Sequence, residues 1–336
     1  RFNDSLNFNL MMLLLFISSL TMFISGLVAS FEYDLKKIIA LSTLSQLGLM
    51  LSMLALGESV LAFFHLLMHA LFKALFFMCA GCLINNLNCQ DIRFMGSLMS
   101  MGMTSCLMNI CSLGLCGLPF LSGFYSKDLI LEFVSMNYVN MYVYVIFYMT
   151  VGLTVLYSFR LFYYTMIKDY SGFTYFKIGD SNMNMLKGMV GLIIMVIVAG
   201  SMISWLMFPT PYYICLPLLM KLMVILMLML GMFMGFLISN FSYCDKSKMV
   251  KFNKFTYFIC SLLNFNFLST FGVNYYYLLL GGKLTDLIDQ GWLEYYGSQN
   301  LFMLLKKETM IIQKIFNNNL MIFFTMILIW AVLLVL

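Results

Sequence analysis

The stretch LAFFHLLMHALFKALFFMCAG, residues 61–81, decides the fold class of this chain. It is apolar and long enough to cross the hydrocarbon core of a bilayer, which takes about 20 residues of helix. Yet it contains both histidines of the chain, His65 and His69, and a lysine, Lys73. Spacing by four residues predicts that the three side chains share one helical face, over a rise of about 12 Å.

The three ionisable residues in this apolar stretch have two interpretations. The histidines could simply be packed, with Lys73 snorkelling toward an interface. However, ionisable groups at membrane depth are costly and normally face a polar interior or water. Lys73 also lies well inside the stretch, where loss of hydration disfavours its charged form. We therefore favour a proton relay that includes His65, His69 and Lys73.

The composition of the whole chain indicates a polytopic membrane protein. Of its 336 residues 62% are hydrophobic and only 10% are charged, and the mean hydropathy is +0.94. Soluble domains carry about 25% charged residues. The net charge of +5 is small for this length and does not indicate binding to nucleic acid.

The nine cysteines are scattered, mostly through apolar segments, and they predict no disulfide framework. Cys79 and Cys82 form a Cys-x-x-Cys pattern inside the central stretch. Packed small side chains explain this pair better than a redox function does.

Nine apolar segments are candidate spans, if the one after Pro119 crosses the membrane. They cover residues 9–30, 37–56, 60–84, 98–118, 129 onward, 139–167, 188–208, 216–238 and 320–336. The second segment carries a polar cluster of Ser42, Thr43, Ser45 and Gln46. These side chains either bond to neighbouring helices or line a hydrated path.

A helix break is predicted around Pro119, in the stretch GLPFLSGFYSKD of residues 117–128. Proline removes a helical donor, and glycines flank it at Gly117 and Gly123. One interpretation is an interfacial loop followed by a helix start. The other is a broken helix that holds Lys127 and Asp128 at membrane depth, as occurs at transporter sites.

Residues 283–316 have a different pattern, with apolar residues recurring at three and four and charged residues between them. This pattern predicts an amphipathic helix of about 50 Å lying along the membrane surface, which Gly291 and Gly297 could interrupt. We therefore predict three domains: a transmembrane bundle at 1–240, a polar segment with the amphipathic helix at 241–317, and a final anchor at 318–336.

Three blocks in the chain resemble the antiporter-like proton-channel subunits of respiratory complex I. They are DLKKIIALSTLSQLG at 34–48, HLLMHALFKA at 65–74, and GLPFLSGFYSKD at 117–128. The resemblance implies an all-α, polytopic transmembrane helix bundle with a broken helix, a long lateral helix and a final anchoring span. It covers the whole chain but only the C-terminal part of the family protein. Because the chain opens with Arg1, we expect an upstream portion to be missing.

The resemblance also implies roles for residues and partners. It assigns a proton relay and supporting charges: Lys73, Lys127, His65 and His69 for the relay, and Asp34, Lys36, Lys37 and Asp128 for the charges. It implies a subunit of a proton-translocating NADH:ubiquinone reductase in the mitochondrial inner membrane. The flavin, the iron–sulfur clusters and the quinone would lie in other subunits, with no cofactor in this chain. The expected partners are other membrane-arm subunits, including sister antiporter-like subunits, and the lipid bilayer.

Two alternatives stay open at this point. The chain could be a structural arm whose lateral helix clamps neighbouring subunits without conducting protons. It could also be the large subunit of a sodium–proton antiporter, which shares the same motifs. The lateral helix and a composition typical of an organellar gene argue against the antiporter.

Overall fold

The computed structural model describes residues 3–136, 140–172, 179–180, 183–240, 257–259, 261, 264–265 and 267–336. Within these residues the chain is helical, and no β-strand occurs beyond one isolated bridge between Asp34 and Asp91. The chain divides into two compact units, Arg1–Leu263 and Asn264–Leu336. The three predicted domains stay a prediction, and residues 241–256 of the polar segment lie outside the described part of the chain.

The main helices of the first unit follow one another with short connections. They are α1 (Phe8–Phe31), α2 (Leu35–Ala55), α3 (Ser59–Leu87), α4 (Gly102–Cys116), α5 (Ser122–Met136), α6 (Met141–Phe162), α7 (Met183–Met207) and α8 (Leu218–Asn240). Among the described residues, six helices are long and apolar enough to cross a membrane: α1, α2, α3, α6, α7 and α8. This is fewer than the nine predicted segments, because α4 and α5 have only 15 residues each and the last helix of the chain has 16.

The predicted helix break lies between α4 and α5. Gly117 follows α4 with φ +83°, a left-handed conformation that glycine adopts without strain. Pro119 then prevents the helix from continuing, and α5 begins at Ser122. The two helices stay close together after the break, and the glycine at position 123 permits this. A Cβ there would lie only 1.9 Å from the carbonyl oxygen of Gly114.

Helix α3 is central in the first unit and packs against α2, α4, α5 and α7. Its large apolar side chains are almost fully buried, including Phe64, Met68 and Phe72. Lipid is as apolar as these side chains, so packing in a membrane depends on close contact between helices more than on the hydrophobic effect. Gly48 provides such a contact, since a Cβ there would lie 2.9 Å from Met22 Cβ on α1.

A buried arginine caps the C-terminal end of α1. Arg160 of α6 donates hydrogen bonds of 2.7 Å to the main-chain oxygens of Ser30 and Glu32. The last carbonyls of a helix have no partner within the helix, so this arginine satisfies two of them. Its guanidinium also lies 4.6 Å from the ring centroid of Tyr33, which Arg93 contacts at 4.2 Å.

The second unit consists of a long helix and a shorter one. The long helix, α9, runs through Phe267–Asn317, and α10 spans Leu320–Val335 at an angle of 111° to it. The predicted start at Lys283 is wrong, because the helix begins at Phe267. Gly291 and Gly297 do not interrupt it either: they lie in wider π-helical turns at Thr285–Leu293 and Tyr295–Gln299.

Candidate functional site

A row of buried polar side chains connects α2, α3, α5 and α6. We call it the polar row; its members are Ser42, Gln46, His65, His69, Lys73, Ser126, Lys127 and Thr154. Each of these side chains is at most 8% exposed. The helices are otherwise rich in leucine, methionine and phenylalanine, so the row is a polar path through an apolar interior.

Lys73 lies at the α2 side of the polar row and is only 4% exposed. Its Nζ donates a hydrogen bond to Ser42 Oγ, whose hydroxyl donates in turn to the main-chain oxygen of Ile39 at 2.8 Å. The ring of Phe76 lies 5.5 Å from the ammonium. A lysine held in this way points into the helix bundle and does not snorkel toward an interface.

His65 joins three helices. Its Nε2 lies 3.1 Å from Gln46 Oε1 on α2, and its Nδ1 lies 2.9 Å from Ser126 Oγ on α5. Because an amide oxygen can only accept, Nε2 carries a proton in this arrangement. The Ser126 hydroxyl has a second neighbour, the main-chain oxygen of Gly123 at 3.4 Å, so either that oxygen or Nδ1 can accept its proton. His65 therefore donates to Gln46 on α2 and is also hydrogen-bonded to Ser126 on α5.

His69 lies one helical turn from His65, with 6.2 Å between the two ring centroids. The edge-to-face ring of Phe72 is 5.2 Å away. The Nε2 atom of His69 is buried and has no hydrogen-bond partner among the described residues. His69 therefore lies one helical turn from His65 and one from Lys73, with no hydrogen bond to either residue.

Lys127 lies at the other end of the polar row and is 2% exposed. Its Nζ donates to Thr154 Oγ1 at 2.8 Å and to the main-chain oxygen of Leu115 at 3.3 Å. Leu115 belongs to the last turn of α4, where carbonyls are unpaired within the helix and the helix dipole is negative. The break thus supplies an acceptor for the lysine, which favours the broken-helix interpretation over an interfacial loop.

Neither lysine of the row has a carboxylate partner at ion-pair distance in the described part of the chain. The two ion pairs found there are Asp34–Lys37 and Asp91–Arg93. Lys73 and Lys127 instead have neutral oxygens as partners.

Three of the four predicted supporting charges lie apart from this row, and the fourth, Asp128, lies beside Lys127. Asp128 is partly buried on α5, with its carboxylate near Gly117 in the break. Asp34, Lys36 and Lys37 lie at the start of α2, where Lys37 Nζ is 2.8 Å from Asp34 Oδ2 and both side chains are more than one-third exposed. Along the helix axis they lie about 8–12 Å from Ser42. The structure therefore brings together five of the eight predicted site residues, namely four in the polar row and Asp128 beside Lys127.

Two members of the polar row were not predicted from the sequence, Ser126 and Thr154. Hydroxyl residues are common in membrane helices and usually bond to their own helix, as Thr154 does to Val151. Each hydroxyl also has a partner on a different helix, which is His65 for Ser126 and Lys127 for Thr154. The position of Ser126 directly before Lys127 was the one sequence signal available.

Among the described residues, no three His, Cys, Asp or Glu side chains come together in a way that could hold a metal ion.

A bundle of membrane helices with a broken helix and a buried row of lysine and histidine defines an antiporter-like membrane subunit. Comparison with known families agrees with this class. Residues 2–156 match the family described as NADH:quinone oxidoreductase/Mrp antiporter, TM, and residues 157–336 match the family NADH dehydrogenase subunit 5 C-terminus. The chain belongs to the NADH dehydrogenase subunit 5 family, which confirms the resemblance seen in the three sequence blocks.

Individual relatives are similar over nearly the whole chain. NADH-ubiquinone oxidoreductase chain 5 of Anopheles gambiae is 49% identical over 99% of this chain, and that of Aedes aegypti is 49% identical over 100%. The protein of the same name from Lumbricus terrestris is 36% identical over 86% of this chain. This chain spans 58% of the length of the two mosquito relatives.

A solved structure supports the fold. It is described as the membrane-bound sulfane sulfur reductase, an archaeal respiratory membrane complex; one of its chains matches with a TM-score of 0.51 at 21% identity. The match covers 68% of this chain and 44% of that one. The animal relatives and the six apolar helices identify a multi-pass protein of the mitochondrial inner membrane.

Proposed function

We propose that this chain is a proton-translocating membrane-arm subunit of respiratory complex I. It couples electron transfer from NADH to ubiquinone, which takes place in other subunits, to proton movement across the inner membrane. The observation that carries the proposal is the polar row, in which Lys73, His65 and Lys127 are buried and bonded to neutral partners. A relay needs such residues because each of them must gain and lose a proton without leaving the interior.

The partners of Lys73 and Lys127 suit both protonation states. An ammonium donates to a hydroxyl oxygen, and a neutral amine can accept from the same hydroxyl. A buried carboxylate partner would instead hold the lysine in its charged form. The partners Ser42 and Thr154 are hydroxyls, so neither lysine is fixed in one state by an ion pair.

The energy required indicates that several sites act in series. Moving one proton against the membrane potential costs about 2.3 kcal/mol per 100 mV. A change of one or two pKa units at a single residue corresponds to about 1.4–2.7 kcal/mol. The pKa change of one lysine therefore does not supply enough free energy to move a proton against a working membrane potential. Several coupled groups in a row can supply it together.

Electrons do not pass through this chain in the proposal. The flavin, iron–sulfur clusters and quinone belong to other subunits, and the partners of the chain are other membrane-arm subunits, including sister antiporter-like ones. The match of residues 157–336 to the subunit 5 C-terminus supports this function over that of a sodium–proton antiporter subunit.

The long helix α9 supports a second candidate function, that of a structural arm. If it rises about 1.5 Å per residue, it extends roughly 75 Å. Apolar side chains such as Leu287, Leu301 and Ile311 are exposed along it. We propose that α9 lies along the membrane surface and contacts sister subunits; cross-links from α9 to those subunits test this. A structure of the assembly with α9 across the bilayer would refute it.

The substitution Lys73→Met separates translocation from a purely structural function. Methionine keeps much of the stem volume and removes the charge and the donor. We expect the complex to assemble and the number of protons pumped per electron to fall. Lys187→Met, at an exposed position on α7, is the matched control and should pump normally.

The outcomes for Lys73→Met are distinct. Normal proton stoichiometry in a fully assembled variant would contradict the relay function of Lys73. If the variant fails to assemble, Lys73→Gln restores a neutral donor for Ser42. Assembly of that variant with impaired pumping would support the relay, and normal pumping would exclude it.

A further inference from the structure

Two pairs of sulfur atoms face each other between α3 and α7. Cys79 Sγ lies 3.8 Å from Met189 Sδ, and Cys82 Sγ lies 3.9 Å from Met185 Sδ. Residues three and four apart share a helical face, so each helix contributes two sulfurs to the same contact. We call these four residues the sulfur cluster. Neither the polar row nor the proposed proton path includes it.

The sulfur cluster runs from the surface into the interior. Met185 is 37% exposed, Cys82 is 6% exposed, and Cys79 and Met189 are fully buried. The carboxylate of Asp180 acts electrostatically on both thiols and so places a negative charge near the outer end. A cation could therefore enter the sulfur cluster at Met185, where the carboxylate of Asp180 attracts it. The inner end of the cluster, at Cys79 and Met189, is closed.

In each Cys–Met pair the distance between the two sulfurs fits two ligands of one metal ion. With a metal–sulfur bond of about 2.3 Å, two sulfurs 3.8–3.9 Å apart subtend an angle of roughly 110–115° at the ion. That angle lies between tetrahedral and trigonal coordination. Thiolate and thioether ligands select soft ions such as Cu(I), whereas hard cations require oxygen ligands.

We propose that the sulfur cluster of Cys79, Cys82, Met185 and Met189 is a binding site for a soft monovalent metal ion of the Cu(I) class. On binding, a metal–sulfur bond replaces one S–H bond, and the released proton goes to solvent. A single thiolate neutralises the charge of the ion, while the other sulfurs bind as neutral ligands. The buried site then carries no net charge, which is the least costly state in an apolar interior.

The test uses the intact membrane assembly that contains this chain, isolated under reducing conditions and depleted of copper. It is equilibrated with Cu(I) buffered by a competing chelator, and bound copper per assembly is measured. We expect the wild type to bind one more copper ion than Cys79→Ser or Met189→Leu, or to bind it at least tenfold more tightly. X-ray absorption of that extra copper should show sulfur neighbours only, at about 2.3 Å.

Two further variants make the result specific. Cys106→Ser removes an exposed cysteine on α4 outside the sulfur cluster and should bind copper like the wild type. Met189→Leu conserves volume and shape, so it serves if Cys79→Ser does not assemble. Equal copper stoichiometry and affinity in the wild type and Met189→Leu would overturn the proposal. An oxygen or nitrogen shell around the bound ion would also overturn it.

Discussion

Replacing Gly123 with alanine tests the geometry that positions Lys127. A Cβ at this position would lie 1.9 Å from the main-chain oxygen of Gly114, whereas ordinary contacts begin at 3.4 Å. The backbones of α4 and α5 would therefore have to separate by about 1.5 Å. Overpacking of this kind costs about 2–3 kcal/mol at the upper end of its usual range. Alanine recovers about 0.5–1 kcal/mol by stiffening the unfolded chain, which leaves a net loss of about 1–2.5 kcal/mol.

Gly114→Ala is the matched control, because it alters the other glycine of the same contact. A Cβ at Gly114 would meet no heavy atom of the described residues within 4 Å. This substitution should be neutral or stabilising by about 0.5–1 kcal/mol, since glycine is unfavourable inside a helix. The two alanine variants should therefore differ in stability by roughly 2–3 kcal/mol although they change neighbouring groups.

The readouts are the amount of assembled complex and the protons pumped per electron. A loss of 1–2 kcal/mol can change protein abundance several-fold, so Gly123→Ala should reduce assembly and Gly114→Ala should not. Gly123 lies one helical turn before Lys127. In any Gly123→Ala complex that does assemble, the displacement of residue 123 away from Gly114 should also shift Lys127. This should weaken the 2.8 Å hydrogen bond between Lys127 and Thr154 and lower pumping. If the two variants assemble and pump equally, the close approach of α4 and α5 is refuted.

Three further predictions concern polar contacts at the ends of helices. Arg160→Met removes three charge-assisted hydrogen bonds to the end of α1, two of them short, and should destabilise the chain by about 3 kcal/mol or more. Arg160→Lys should lose roughly half as much, and thermal unfolding measures both. Asp180→Ala leaves the first amides of α4 and the hydroxyl of Thr104 without their acceptor, and should cost about 1 kcal/mol in the same measurement. Burial alone would raise the pKa of Asp91, but hydrogen bonds and charge from Arg93 outweigh it and hold that pKa below its ordinary value of 3.8. The stability from this pair is therefore present above pH 3.8 and is lost as the pH falls through the lowered pKa, a loss that Asp91→Asn should abolish in an acid titration of thermal stability.

The central helix and the break could be predicted from the sequence because both depend on local chemistry. Spacing by four residues places His65, His69 and Lys73 on one face of any α-helix, whatever packs against it. Pro119 with flanking glycines interrupts a helix through the missing donor and the free backbone. The tertiary structure supplies hydrogen-bond partners for these residues, but the helix and the break are where the sequence predicts them.

The partners of the polar row could not be predicted, because they depend on which helix faces lie opposite one another. Thr154 and Ser126 resemble many other hydroxyl residues in the chain until α6 and α5 are placed beside α3 and α4. The start of α9 was also missed. Its first residues, from Phe267, are aromatic and polar without a clear period, so the regular apolar pattern after Lys283 set the predicted boundary.

The polar row has to be interrupted if the chain translocates protons. A row that was hydrogen-bonded from end to end would let protons return down the membrane potential, releasing about 2.3 kcal/mol per 100 mV each. Proton transfer requires donor and acceptor atoms within about 2.6–3.2 Å, or one water between them. His65 meets this distance to its partners on both sides, whereas His69 is 6.2 Å from the His65 ring, and its Nε2 has no partner among the described residues. A rotation of the His69 ring, which Phe72 flanks, would change which neighbour it reaches. We therefore expect His69 to be the position where the row opens and closes, with His65 as its fixed neighbour.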